Sequence, residues 1–158
     1  MDYVLQKATE LGVSEIVLLE SERTIVKVKQ QQTNLRLGRY QRILKEAAEQ
    51  SRRCRIPYIQ NIITFDRIIE IEADLKLIAY EGSQGTTKML NKKIDSLKPG
   101  KRVAVIIGPE GGFSSDEVGF AKHCGFTPVG LGKRILRAET ASIYTLSVIA
   151  NRLEDHNA

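Results

Sequence analysis

The sequence predicts an α/β protein, a mostly parallel sheet with helices on both faces. Short apolar runs of strand length alternate with stretches of helical periodicity. Near the C-terminus, two glycine-bearing stretches each follow such a run and lead into a helical pattern. The 158 residues are 42% hydrophobic and 27% charged, ordinary values for one globular domain. A chain of that length buries about two thirds of its unfolded surface.

Residues 2–11 put Val4, Leu5, Ala8 and Leu11 on one helical stripe, with Gly12 placed to cap the C-terminus. No N-cap residue precedes this helix. A strand follows at 16–19, then a polar loop over 21–33 with a candidate short strand at 24–28. The helix expected over 34–53 has Leu37, Tyr40, Leu44, Ala47 and Ala48 on one face. Arg42 with Glu46 and Glu49 with Arg53 form i, i+4 pairs opposite them.

Pro57 separates that helix from a strand over 56–63. A short helix over 65–71, a strand over 75–80 and the loop Glu81-Gly82-Ser83-Gln84-Gly85 come next, then a basic surface helix over 87–97 and a turn at 98–100. A strand over 103–107 enters the first glycine stretch. The helix over 115–124 has Ser114 or Ser115 as N-cap and Glu117 in its first turn, and Gly125 closes it. A strand over 128–131 enters the second stretch. After Ala141 the last helix is apolar around most of its circumference, from Ile143 and Tyr144 to Ile149 and Leu153. One face therefore meets the core and another meets something else.

The two glycine stretches are Ile107-Gly108-Pro109-Glu110-Gly111-Gly112-Phe113-Ser114 and Leu131-Gly132-Lys133-Arg134-Ile135-Leu136-Arg137-Ala138-Glu139-Thr140-Ala141. Both lie at the carboxyl ends of strands, where open α/β sheets bind ligands. Without Cβ atoms at Gly108, Gly111 and Gly112, a ligand reaches the main chain closely. A flat ligand held largely by main chain fits; the plainer reading is a pair of ordinary turns. Neither stretch matches G-x-G-x-x-G or G-x-x-x-x-G-K-[ST], which disfavours a nucleoside triphosphate.

The net charge is +5. Its distribution is uneven, with ten basic residues between Arg23 and Arg55 against only Glu46 and Glu49. Such a block suits a phosphate backbone, while a solvated helix face is the plainer alternative. Because the helix over 34–53 pairs its own charges, Arg23, Lys27, Lys29, Arg52 and Arg55 are the better RNA-binding candidates. Cys54 and Cys124 are read as reduced thiols, and His123 and His156 are too few to build a metal site, so no metal is expected. With no apolar run of membrane-spanning length and no signal peptide, a cytoplasmic protein is expected.

GPEGGFS and LGKRILRAETA, together with Met1-Asp2-Tyr3-Val4-Leu5-Gln6-Lys7-Ala8-Thr9-Glu10-Leu11-Gly12 and Glu46-Ala47-Ala48-Glu49-Gln50-Ser51, resemble the RsmE family of 16S ribosomal RNA uridine N3-methyltransferases. The resemblance runs across essentially the whole chain. It implies the SPOUT class of S-adenosylmethionine enzymes, with a C-terminal trefoil knot and a homodimer built on the last helix. It also implies ribosomal RNA or the small ribosomal subunit as substrate. Residues 1–158 would then be the SPOUT methyltransferase domain. The N-terminal RNA-binding β-barrel that precedes this domain in the family is absent from the sequence, so the chain is expected to be a catalytic-domain fragment or the product of an internal start.

By position in the motifs, the resemblance implies cofactor contacts at Gly108, Leu131 and Leu136, with Gly112 and Gly132 close seconds. Ile135 joins the two leucines as an apolar wall. A uridine N3 must lose its proton before or during attack. Glu110 and Glu139 are the available carboxylates and Arg137 the available cation, so these three are the catalytic candidates. Three alternatives stay open: another SPOUT RNA methyltransferase with a different target, an inactive RNA-binding module, and a generic nucleotide-binding domain. Ribose-methylating relatives carry Asn where Arg137 stands, which counts against that branch.

Overall fold

The computed structural model describes residues 1–24, 30–82, 87–98 and 100–155, with backbone alone at 30–34, 154 and 155. In chain order its elements are α1 (Asp2–Glu10), β1 (Glu15–Ile16), β2 (Leu19–Glu20), α2 (Gln30–Gln50), β3 (Tyr58–Ile59), β4 (Ile63–Thr64), a 3-10 turn (Phe65–Glu70), β5 (Leu75–Ala79), α3 (Lys88–Asp95), β6 (Val103–Ile106), α4 (Ser115–His123), β7 (Thr127–Val129) and α5 (Ala138–Asp155). Every strand pairing among the described residues is parallel: β1 with β3, β2 with β4, and β5 with both β6 and β7.

Adjacent residues on a strand point to opposite faces, and β5 uses both. Leu77 packs with Leu90 and Ile94 of α3, Val129 of β7 and Ile149 of α5. Ile78 packs with Ile68 of the 3-10 turn, Val118 and Ala121 of α4, and Phe126. Helices therefore cover both faces, as the sequence predicts. A third cluster, Leu5, Leu44 and Ile59, holds α1 and α2 against β3.

Several expectations need correction. The strands expected over 16–19 and 56–63 are each broken into two short pieces. Glu15 and Ile16 pair with Tyr58 and Ile59, but Leu19 and Glu20 pair with Ile63 and Thr64, so one extra residue lies between the two pairings on the second strand. That is the arrangement of a bulge. The candidate strand at 24–28 lies, except for Thr24, outside the described residues. The last helix begins at Ala138, four residues earlier than a start just after Ala141.

The pairing of Arg53 with Glu49 is also not made. Gly12, at φ +89°, ends α1 with Val13 N–H donating to Ala8 O at 3.1 Å. Arg53 completes that cap, donating to the carbonyls of Thr9 and Val13 at 2.8 Å each and of Gly12 at 3.3 Å. Three carbonyls gathered at the helix end, of which Thr9 O also accepts from Gly12 N–H at 3.1 Å, outcompete an exposed carboxylate for the guanidinium. Partial burial lowers the Arg53 pKa from its ordinary value. Glu49 lies 3.8 Å from Lys45 instead.

At the amino ends of β5 and β6, the Asp74 carboxylate accepts from Lys101 Nζ and from Arg102 N–H, each at 2.8 Å. These bonds, Lys101 first, hold Asp74 below its ordinary carboxylate value. A depressed carboxylate stabilises the fold above the unfolded-state pKa and loses that contribution as pH falls through the folded one. Side-chain NMR should place the Asp74 midpoint below the ordinary value of an aspartate. Asp74→Asn should remove this part of the acid limb of stability and leave neutral-pH behaviour of the remaining carboxylates unchanged. A midpoint at or above the ordinary value would contradict the pairing.

Among the described residues no helix is long and apolar enough to cross a membrane, and no group of His, Cys, Asp and Glu could hold a metal ion. Cys54 is exposed and Cys124 buried, both as thiols.

Candidate functional site

The register of the three-stranded sheet sets where its loops begin. Ile78 lies opposite Ile106, and Ala79 opposite Val129. The three strands therefore end level, and the loops after β5, β6 and β7 all leave the same carboxyl edge. Neighbouring strands lie about 4.8 Å apart, so the loops after β6 and β7 start about 10 Å apart, with the β5 loop between them. One small ligand across the end of β5 would touch all three.

The loop after β6 is tightly built. Gly112, at φ +64°, donates its N–H to Pro109 O at 2.9 Å, closing a turn around Glu110 and Gly111. A Cβ on Gly108 would sit 3.0 Å from the Phe113 ring, so a side chain there would displace the buried Phe113. Phe113 in turn stacks at a tilt on Phe65, centroids 5.6 Å apart. The loop ends in a capping box: Ser114 Oγ accepts from Glu117 N–H at 3.2 Å, and Glu117 Oε2 accepts from Ser114 N–H at 2.9 Å.

Two further loops approach this one. Arg23 donates from Nη1 to Gly111 O at 2.8 Å, and a Cβ on Gly111 would lie 3.2 Å from that of Arg23. From the β5 loop, Glu81 Oε1 lies 3.9 Å from where a Gly112 Cβ would be. Gly82 is needed beside it, because its Cβ would meet the Tyr80 ring at 2.4 Å. Ser83, Gln84 and Gly85, expected as part of this wall, lie outside the described residues.

The loop after β7 is of a different kind. Among the described residues, no internal hydrogen bond uses the main chain of residues 131–136. Toward the described residues, these N–H and C=O groups have their bonding capacity open. Gly132 sits at φ +119°. Leu131 packs on the cluster shared with α5, and Leu136 is half-buried. Ile135, expected as an apolar wall, is 85% exposed on this loop.

The catalytic candidates lie around these loops without touching one another. Glu110 is exposed on the turn, and Arg137 is exposed just before α5, its carbonyl accepting from Ala141 N–H at 2.8 Å. Glu139 is in the first turn of α5, where the helix dipole favours a carboxylate. It lines a groove of about 490 Å³ between α1 and α5, with Tyr3, Thr140, Ile143, Tyr144 and Ser147. Among the described residues no hydrogen bond or ion pair joins Arg137 to Glu110 or Glu139.

The RNA-binding candidates are divided. Arg23 follows β2 and sits on the rim of the glycine loop. Arg52, at φ 56°, and Arg55 are exposed where the chain enters β3, at the opposite end of the extended run over 15–20. Lys27 and Lys29 lie outside the described residues. Sequence reasoning missed what Glu117 does beyond its helix. Its Oε1 accepts from Glu22 N–H at 2.8 Å, a partner 95 positions away. The S-x-x-E spacing signals the cap, but nothing in the sequence signals that reach.

Comparison with known proteins accords with this geometry. Ribosomal RNA small subunit methyltransferase E from Bacillus subtilis is 34% identical over 158 residues, covering 98% of this chain and 62% of that protein. A putative methyltransferase from Legionella pneumophila, solved in complex with the bound cofactor SAM, superposes with a TM-score of 0.86 at 37% identity, covering 96% of this chain and 60% of that one. Ribosomal RNA small subunit methyltransferase E from Neisseria gonorrhoeae, bound to S-adenosyl methionine, gives a TM-score of 0.81 at 34% identity over 96% of this chain and 60% of that one. The chain thus spans about three fifths of the length of these relatives. Residues 1–150 match the RNA methyltransferase domain, and the chain belongs to that family.

Proposed function

We propose that this chain is the catalytic domain of an S-adenosylmethionine-dependent methyltransferase acting on N3 of a uridine in small-subunit ribosomal RNA. The observation that carries the reading is the level carboxyl edge of β5, β6 and β7, from which glycine-bearing loops leave together, the one after β7 with no main-chain hydrogen bond at 131–136 among the described residues. The names of the relatives supply the substrate class.

The residues present fit the cofactor. The close approach of Gly108 to Phe113 and the positive φ of Gly112 and Gly132 leave main chain, not side chain, lining the edge. Gly108, Gly112, Leu131, Gly132 and Leu136 would hold the adenosine part, with the two leucines as apolar contacts. When bound, S-adenosylmethionine supplies an electrophilic methyl group on a sulfonium. The chain's own work is alignment of the acceptor, a proximity effect, and management of the N3 proton. Arg137 would stabilise the negative charge that develops on the uracil as that proton leaves, and Glu139 or Glu110 would accept it. Arg23, Arg52 and Arg55 would hold RNA phosphates.

The trefoil knot of the SPOUT class and a homodimer belong to the same proposal. Tyr3 and Tyr144 stand 55% and 37% exposed along the groove between α1 and α5, an apolar rim suited to an isologous contact with a second copy. Glu139 would then lie at the subunit boundary.

Calorimetric titration with S-adenosylmethionine should give saturable binding with one cofactor per chain. Incubation with small-subunit RNA or particles and labelled cofactor should yield 3-methyluridine on nucleoside analysis. No binding would overturn the reading. Binding without transfer to either substrate would point to an inactive RNA-binding module.

A further inference from the structure

Glu117 does more than cap α4. Its side chain is buried, only 8% exposed, and its two oxygens serve two different segments. Oε2 accepts from Ser114 N–H at the end of the glycine loop, and Oε1 accepts from Glu22 N–H in the segment after β2. That segment is itself a closed turn. Thr24 N–H donates to Ser21 O at 3.1 Å, and Ser21 N–H donates to Thr24 Oγ1 at 3.0 Å. Arg23 stands at its tip and reaches back to Gly111 O.

The chain therefore makes a small ring of contacts, from Gly111 through Ser114, Glu117 and Glu22 to Arg23 and back to Gly111. Hydrogen bonds to a buried carboxylate are charge-assisted and are among the stronger ones a chain forms. Neither segment can shift without breaking one of them.

We propose that Glu117 is a positioning residue that couples the glycine loop to the 21–24 turn, so that cofactor binding at the loop orders Arg23 for an RNA phosphate. The proposal rests on the cofactor reading of the preceding section. Coupling of this kind is a free energy shared between two sites. It implies that cofactor and RNA each raise the chain's affinity for the other by the same factor.

Hydrogen exchange with and without S-adenosylhomocysteine tests it in the intact chain. In the wild type the ligand should slow exchange at the amides of Glu22 and Thr24, as well as at Gly112, by about tenfold, the scale of one charge-assisted bond. In Glu117→Gln, a single carbonyl oxygen replaces two carboxylate oxygens, so Glu22 and Ser114 compete for it. The ligand should still slow Gly112, but the response at Glu22 and Thr24 should be lost and ligand affinity should fall about tenfold. Ser114→Ala is the second variant, because it removes the cap hydroxyl and keeps both bonds to Glu117. It should lower the melting temperature and retain the response at Glu22.

If S-adenosylhomocysteine binds the wild type and Glu22 and Thr24 do not respond, the coupling is wrong and the cofactor reading stands. The same holds if Glu117→Gln responds like the wild type, or if Ser114→Ala loses the response equally, since Glu117 would then act only as a helix cap. Failure of the wild type to bind the ligand at all would overturn both.

Discussion

Replacing Arg137 with alanine is expected to lower the rate of methyl transfer by about 10²–10³, the cost of removing one preorganised group from a site of developing charge. Affinity for S-adenosylmethionine should stay within about twofold, because an interaction made only in the transition state leaves ground-state binding alone. Arg137 is exposed, and no ion pair among the described residues engages it, so its loss should cost little stability. Arg137→Lys should recover only part of the rate, since an ammonium lacks the planar fork of a guanidinium. Single-turnover kinetics and calorimetry on the same samples would separate the two effects. Unimpaired turnover would remove Arg137 from the mechanism, and a parallel loss of cofactor affinity would reassign it to shaping the loop.

Leu77→Ala should destabilise the domain by about 3 kcal/mol, within the range for truncating a buried leucine. Leu77 is fully buried in the middle strand and touches residues of α3, β7 and α5. The surrounding backbone is pinned by parallel pairing on both sides of β5, so the cavity cannot collapse easily. Urea denaturation should show the loss as a lower midpoint at unchanged slope. A loss under about 1 kcal/mol would mean that the α3 and α5 side repacks freely. The matched change at Ile78 would then be the better probe of the core.

These two expectations rest on parts of the molecule that differ in how far the sequence reveals them. The strands 75–79 and 103–106 are legible because short, mostly apolar runs, broken only at Lys76 and bounded by turn residues, have few other fates. The helical face of Leu37, Tyr40, Leu44, Ala47 and Ala48 is legible for the same periodic reason. The carboxyl-edge placement of Gly108–Gly112 and of 131–136 follows from strand-to-helix order, and the parallel pairing agrees with it.

Other features are set by contacts that no local pattern encodes. Whether Arg53 meets Glu49 or the end of α1 depends on where α1 lies, and in the fold the carbonyls of Thr9, Gly12 and Val13 take the guanidinium. The extra residue between the two halves of the β3–β4 run depends on cross-strand register. Ile135 is apolar in a loop, and composition alone cannot say that it stands so exposed. The division of the basic residues between Arg23 on one edge and Arg52 and Arg55 on the other is likewise invisible in a running charge count.

The position of β5 between its two partners has a kinetic consequence. β6 follows β5 closely in the chain, but Thr127 pairs with Leu77 across fifty residues. Pairings of such long separation cost closure entropy before contacts reward it, and sheets that depend on them assemble slowly. During vectorial synthesis, the β5–β6 pair can dock early, while the other flank of the middle strand waits for β7 and for the helix that begins at Ala138. A nascent chain paused in that interval presents Leu77 to water with neither Val129 nor Ile149 over it. In that window the newborn sheet is most in need of a chaperone's shelter.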